Sequence, residues 1–172
     1  YCAIPEIRGP FRSRPSESII AEAKDLAEKG VKELVVVAQD TTLYGKDIYG
    51  KLMLPELLTK LNEIDGIHWI RMLYCYPDEF TDELIEAMAT LPKVLHYVDL
   101  PLQHADDEVL RRMNRRGTQQ QVKELVAKLR ERMPDIIIRT TFITGFPGES
   151  EEAFENLALF VNETEFDHLG CF

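Results

Sequence analysis

The chain has 172 residues, of which 45% are hydrophobic, and its formal net charge is −10. A single domain with a substantial core fits this length, and the negative charge disfavours unselective binding to nucleic-acid phosphates. An ordinary solvated surface explains most of the acidic residues, although an acidic face would also suit a basic protein partner. No apolar run approaches the ~20 residues of a transmembrane helix, so the composition predicts a cytoplasmic protein without a membrane partner.

Short apolar strands alternate with amphipathic helices along the chain. A helix is predicted over residues 15–29, and a strand rich in β-branched residues follows over 33–38. Later strands are predicted over 67–74, 94–100, 136–143 and 166–172. Amphipathic segments with a helical pattern lie near residues 55–63, 81–90, 106–133 and 150–163.

Residues that favour a helix N-terminus occur at three points of the chain. Thr118 and Gln121 match a capping box, and Thr81 and Ser150 each precede two acidic residues. Because the strands are short, apolar and joined through helices, they are predicted to be parallel and covered by helices. The predicted fold is therefore α/β, a parallel (β/α) partial barrel of the TIM type. An open doubly wound sheet and a fragment are the alternatives, because five strands do not close an eight-stranded barrel.

Polar and aromatic residues follow each predicted strand. They occupy residues 39–42, 74–78, 101–104, 144–149 and 171–172. Parallel α/β folds place their working site at the carboxyl ends of the strands, so these segments are expected to share one rim. Amides, hydroxyls and aromatic rings on one rim predict a site for a polar organic ligand with a flat ring. The glycines of residues 145–149 would let the backbone approach that ligand closely.

Several of these segments carry family motifs. They are YCAIP at residues 1–5 with the arginines that follow up to residue 15, AQDTTLYG at 38–45, YCYPDE at 74–79, PLQH at 101–104 and TTFITGFPGE at 140–149. Together they resemble the radical S-adenosylmethionine (SAM) methylthiotransferase family over essentially the whole chain. Cys2 would be the third cysteine of the family signature Cys-x-x-x-Cys-x-x-Cys, and the other two would lie upstream of residue 1.

The resemblance implies a radical SAM part-barrel and two iron–sulfur clusters. In the family, three cysteines bind a 4Fe–4S cluster, and its fourth iron binds the amino and carboxylate groups of SAM. Reductive cleavage gives a 5′-deoxyadenosyl radical that removes hydrogen from an unactivated carbon. A second 4Fe–4S cluster, in an N-terminal domain, supplies the sulfur.

Site residues can be carried over by position. Cys2 is implied as a metal ligand, and Tyr1 as the aromatic residue that packs beside the cluster and the adenine. Gln39 and Asp40 stand where related enzymes bind the methionine amino group.

Other site residues follow the later strands. Ile143 and Gly145 are implied to border the adenine of SAM. Gln103, Thr141 and Arg139 are candidates for contacts to the ribose or the carboxylate.

The motif Ala-Gln-Asp-Thr-Thr at residues 38–42 resembles the RimO branch of the family. That branch methylthiolates an aspartate of protein twelve of the small ribosomal subunit, whereas the tRNA-modifying branch, MiaB, typically has Gly-Gln-Asn there. The expected partner is therefore a small-subunit ribosomal protein or the ribosome, with tRNA as the alternative. The acidic composition fits a basic ribosomal protein better than it fits tRNA.

The resemblance also predicts how the domains are arranged. Residues 1–172 would be a segment of the radical SAM domain, without its first strand and first two cluster cysteines. The N-terminal second-cluster domain and the C-terminal TRAM domain would lie outside it. Because one thiolate cannot hold the cluster, the chain alone is expected to be inactive, and a non-catalytic binding module is a third interpretation.

Some conspicuous residues have structural interpretations. His104 is either a proton-transfer residue or a support for the rim. Cys75 and Cys171 are predicted to be buried, small hydrophobic residues, and Trp69 is predicted to lie in the core. The dense basic groups are expected mainly to form ion pairs on helix surfaces, with contact to ribosomal RNA as the alternative: Arg8, Arg12, Arg14, Arg111, Arg112, Arg115 and Arg116.

Overall fold

A computed structural model describes residues 3–172, so Tyr1 and Cys2 lie outside the described residues. The strands are β1 (Glu33–Val36), β2 (Trp69–Met72), β3 (Tyr97–Gln103), β4 (Ile137–Phe142) and β5 (His168–Cys171). The helices are α1 (Ile4–Arg8), α2 (Ser16–Glu28), α3 (Lys46–Tyr49), α4 (Leu54–Asn62), α5 (Asp82–Thr90), α6 (Asp107–Arg112), α7 (Gln119–Arg132) and α8 (Glu151–Thr164), with a 3-10 turn at Pro77–Glu79.

All strand pairs in the described chain are parallel. β1 pairs with β2, and β3, β4 and β5 pair in that order. A parallel bridge between Ile70 and Val94 joins the two groups, and the Cys75 amide donates to the Asp99 carbonyl oxygen across 2.9 Å. The strands therefore follow one another in chain order, as expected for a parallel sheet whose connections are helical. The predicted α/β fold is confirmed.

The two faces of each strand have opposite surroundings, because successive side chains point to opposite sides. One face packs against the helices and forms the main core: Leu34, Ile70, Met72, Val98, Leu100, Ile138 and Phe142 are buried there. We call the other face the inner face, formed by Glu33, Val35, Trp69, Arg71, Tyr97, Asp99, Ile137 and Arg139. The prediction that Trp69 lies in the core is wrong, because its indole is on this inner face and is 52% exposed.

The amphipathic segment of residues 106–133 forms two helices, α6 and α7. The break between α6 and α7 contains Asn114 and Gly117, which both have positive φ angles, at 53° and 85°. This backbone conformation ends a right-handed helix and favours glycine or asparagine. The predicted capping box of Thr118 and Gln121 is present at the start of α7, and the Thr81 and Ser150 side chains cap α5 and α8.

No helix of residues 3–172 is long and apolar enough to cross a membrane.

Candidate functional site

The segments that follow the strands are hydrogen-bonded to one another at one edge of the sheet. The Thr41 amide donates to the Tyr74 carbonyl oxygen across 3.0 Å, and the Ile143 amide donates to that of Gln103 across 2.7 Å. The Thr144 amide likewise donates to the carbonyl oxygen of Phe172 across 2.9 Å. The rim expected from the parallel topology is therefore present.

A cavity of about 1050 Å³ opens beside the first strands of this rim. Gln39, Asp40 and Tyr74 line it, together with Pro101 from β3. Gln103, Arg139, Thr141, Ile143 and Gly145 are not among its lining residues. The structure thus brings Gln39 and Asp40 to one cavity and leaves the other five described candidates farther along the rim or on the inner face.

Asp40 forms a tight turn with Thr42 at the cavity wall. Its Oδ1 accepts hydrogen bonds from the Thr42 amide, across 3.0 Å, and from the Thr42 hydroxyl. Burial raises the pKa of the Asp40 carboxyl, and the two bonds from Thr42 oppose that rise. Gln39 beside it is exposed. The turn therefore presents one oriented carboxyl and one accessible amide to the same space.

Arg139 lies on the inner face and forms an ion pair with Asp99. Its Nη1 donates to Asp99 Oδ1 across 2.9 Å. The Asp99 side chain is 1% exposed, and its Oδ2 accepts a 3.0 Å bond from the amide of Tyr74, a residue with a φ of 58°. Sequence reasoning missed Asp99, although a charged residue in the middle of the apolar strand YVDLPL was a usable signal.

The remaining candidates lie at the ends of β3 and β4. Gln103 has a φ of 73°, and its side-chain amide donates to the Pro101 carbonyl oxygen across 3.4 Å. Thr141 is half-buried in β4 opposite Gly170. Ile143 packs with Phe146 against a small second core of Val109, Met113 and Ala153.

Gly145 is exposed and has a φ of 72°, a conformation that L side chains rarely adopt. Its backbone is therefore accessible at the start of the turn that leads to α8. A Cβ built at Gly145 would meet nothing within 4 Å, so the space above it is open.

The two described cysteines differ. Cys75 is buried, as predicted, and Thr41 Oγ1 lies 3.4 Å from its sulfur. Burial raises the pKa of the Cys75 thiol to about 12. Cys171 is exposed, so the prediction that it is buried is wrong. Residues 3–172 contain no group of three or more His, Cys, Asp or Glu side chains that could hold a metal ion.

The basic residues mostly form pairs on the surface. Arg111 and Arg112 both contact the Glu108 carboxylate, and Arg14 lies 2.6 Å from that of Glu22. The guanidinium of Arg115 stacks over the ring of Tyr76 at 4.7 Å. The predicted ion pairing on helix surfaces is confirmed for Arg14, Arg111 and Arg112.

The chain is highly similar in sequence to enzymes of the RimO type. It is 58% identical to the ribosomal protein uS12 methylthiotransferase RimO of Desulforamulus reducens, over 100% of this chain and 39% of that protein. It is 56% identical to the RimO of Heliobacterium modesticaldum, over 100% of this chain and 37% of that protein. The chain thus spans about two fifths of the length of these relatives.

Solved structures share the fold at low sequence identity. The radical SAM methyltransferase TsrM of Kitasatospora setae matches with a TM-score of 0.71 and 19% identity, over 92% of this chain and 30% of that chain. The archaeal Elp3 of Methanocaldococcus infernus matches with a TM-score of 0.58 and 17% identity, over 98% and 43% of the two chains. These likenesses support the fold as a partial TIM-type barrel.

The Radical SAM superfamily profile matches residues 1–161, which is nearly the whole chain. The matched residues include four of the five parallel strands and the rim of polar segments that follows them. The chain belongs to the radical SAM superfamily.

Proposed function

We propose that this chain is part of a RimO-type methylthiotransferase that adds a methylthio group to an aspartate of ribosomal protein uS12. The observation that carries this proposal is the 58% identity to a protein of that name across all 172 residues. The net charge of −10 is consistent with a basic ribosomal protein as the substrate. The motif Ala-Gln-Asp-Thr-Thr at residues 38–42 also favours the RimO branch over the tRNA-modifying branch.

The proposed domain arrangement places residues 1–172 inside a longer enzyme. The chain covers 39% of the Desulforamulus reducens relative, which leaves room for a second-cluster domain before it and a TRAM domain after it. The remaining cluster cysteines would then lie upstream, with Cys2 as the third thiolate. On this proposal the chain alone does not bind the cluster and is inactive.

The described residues fit SAM as a ligand. The cavity next to Asp40 is large enough for an organic cofactor, and it joins oriented polar groups to the aromatic ring of Tyr74. When bound, SAM and a 4Fe–4S cluster supply the radical chemistry, and the protein supplies binding and orientation. In this proposal Asp40 and Gln39 accept and donate hydrogen bonds at the methionine end.

The rest of the rim would complete the cofactor site. The backbone of Ile143 and Gly145 would border the adenine, since Gly145 is open to approach. Gln103, Thr141 and Arg139 would contact the ribose or carboxylate, and Tyr1 would pack beside the cluster. Because Asp99 already pairs with Arg139, it would fix the guanidinium in one orientation.

Mass spectrometry of ribosomal proteins and tRNA tests the proposal. Cells that lack the full-length gene should lose the methylthio group from uS12 and keep the methylthio groups of tRNA. Loss from tRNA alone would move the chain to the other branch. Loss from neither would contradict a methylthiotransferase role and favour a binding module.

Complementation with variants of the full-length gene then tests the site. Asp40→Asn keeps an oxygen for the bonds from Thr42 but removes the carboxylate, so we expect uS12 methylthiolation to fall at least tenfold. Asp65→Asn is the matched control, because Asp65 is an exposed carboxylate after α4. Equal activity of the two variants would contradict a role of Asp40 in binding the cofactor.

A further inference from the structure

A buried histidine lies directly below the turn formed by residues 145–149. The side chain of His104 is fully buried, and that of Glu149 is only 6% exposed. His104 follows β3, whereas Glu149 ends the turn that leads from β4 to α8. The two side chains therefore connect the ends of neighbouring strands beneath the rim.

The hydrogen bonds around His104 determine which ring nitrogen carries the proton. His104 Nδ1 accepts a hydrogen bond from the Asp106 amide across 3.0 Å. Burial lowers the pKa of the imidazole, and the nearby carboxylates Glu149 and Asp106 only partly oppose this. A neutral ring with Nδ1 as acceptor must carry its proton on Nε2. His104 therefore presents an N–H donor, and not a positive charge, to the turn.

That donor points to the carboxylate that closes the turn. His104 Nε2 is 3.7 Å from Glu149 Oε2 and has no hydrogen-bond partner among the described residues. The same Glu149 oxygen accepts a 3.0 Å bond from the Phe146 amide, and the Glu149 amide donates to the Phe146 carbonyl oxygen across 2.8 Å. A movement of about 0.7 Å would bring the donor and the acceptor to ordinary hydrogen-bond distance.

Other contacts also hold the turn. Arg112 Nη1 donates to the Gly148 carbonyl oxygen across 3.2 Å, and Phe146 packs with Ile143 against α6 and α8. Neither contact involves the Glu149 carboxylate, which is the group of the turn that approaches His104 Nε2. A buried N–H without a partner is unfavourable, so the bond to Glu149 is favoured wherever the turn can approach.

We propose that His104 is a positioning residue for the turn of residues 145–149, which it holds through the Glu149 carboxylate. The bond from Nε2 would set where the Phe146 amide and the backbone of Gly145 lie. The consequence for SAM rests on the proposed function, in which Gly145 borders the adenine. Ligand binding at Gly145 would then be coupled to closure of the gap between Nε2 and Glu149.

Two substitutions separate the two bonds of the imidazole. His104→Asn keeps an acceptor near the position of Nδ1, for the Asp106 amide, but has no donor that reaches Glu149. His104→Gln provides an N–H near the position of Nε2 but loses the acceptor for Asp106. A purely structural role in the 104–106 turn predicts that Asn is tolerated and Gln is not. The positioning role predicts the reverse.

The experiment compares both variants in the full-length enzyme with its clusters reconstituted. Hydrogen exchange at the Phe146 amide is expected to be about tenfold faster in His104→Asn and close to native in His104→Gln. The dissociation constant for SAM is expected to rise about three- to tenfold in His104→Asn alone. His104→Gln is the matched control in both measurements, because it keeps an N–H near the position of Nε2.

The two readouts distinguish this inference from the proposed function. Native exchange at Phe146 in His104→Asn would overturn the positioning role. Faster exchange with unchanged SAM affinity would support the positioning role and contradict the placement of adenine at Gly145.

Discussion

The two faces of the parallel strands differ in burial and in composition. On the helix-facing side, apolar residues such as Phe142 and Ile70 are almost completely buried, and burial of apolar surface is the main source of stability. The inner face carries charged residues on every pair of neighbouring strands, together with two aromatic residues, Trp69 and Tyr97, and two exposed aliphatic ones, Val35 and Ile137. The difference shows that strand periodicity supplies two surfaces, and that only one of them is needed for the core.

The charges of the inner face are arranged in pairs. Arg71 Nε lies 2.6 Å from Glu33 Oε1, and its guanidinium stacks 4.7 Å from the centre of the Tyr97 ring. Farther along, Arg139 pairs with Asp99. Each described charge thus has a partner of opposite sign, which lets this face stay polar without leaving a carboxylate isolated.

A pair of aromatic truncations should show the contrast most strongly. Phe142→Ala removes a buried ring that packs edge-on against Phe160 and Phe166, with ring centres 6.3 and 5.8 Å apart, so the free energy of unfolding should fall by about 3–5 kcal/mol. Trp69→Ala removes a larger but half-exposed ring, and less than about 1 kcal/mol should be lost. Urea unfolding measures both, and equal losses would contradict the division between the two faces.

The next largest effect concerns the reactivity of the described cysteines. With a pKa of about 12, the Cys75 thiol is ionised to about one part in ten thousand at pH 8, and its sulfur is also buried. Cys171 is exposed. Iodoacetamide at pH 8 should therefore modify Cys171 at least a hundredfold faster than Cys75, as followed by peptide mass spectrometry. Comparable rates would show that the segment around Cys75 opens readily.

The sequence was sufficient for the five strands, for the longer helices and for the position of the rim. Apolar runs, capping residues such as Thr118 and the rule for parallel strands are local or topological signals, and they predicted the strands, the caps and the shared edge. Trp69 and Cys171 were wrongly assigned to the interior because alternation shows which residues share a face, but not which face is covered. Whether a strand face is covered depends on helices and strands that are distant in the sequence.

The details of the site needed three-dimensional contacts. The pair of Asp99 and Arg139 joins residues 40 positions apart, and the approach of His104 to Glu149 joins residues 45 positions apart. No periodicity encodes such distances. The split between α6 and α7 is indicated in the sequence by the capping box at Thr118, but the amphipathic pattern continues across Asn114 and Gly117, whose backbone conformation ends α6.

The smallest expected difference compares the two arginines of the inner face. Arg139→Met removes the ion-pair partner of the buried Asp99 carboxylate, which keeps the hydrogen bond from the Tyr74 amide. Because a buried charged acceptor then loses a donor, the free energy of unfolding should fall by about 1–3 kcal/mol. Arg71→Met breaks a pair in which both side chains are about one-third exposed, and such pairs contribute less than about 1 kcal/mol. Urea unfolding at neutral pH distinguishes the two variants. If Arg71→Met were the more damaging change, the stacking of Arg71 on Tyr97 would matter more than the buried ion pair, and the inner face would be stabilised by packing and not by charge.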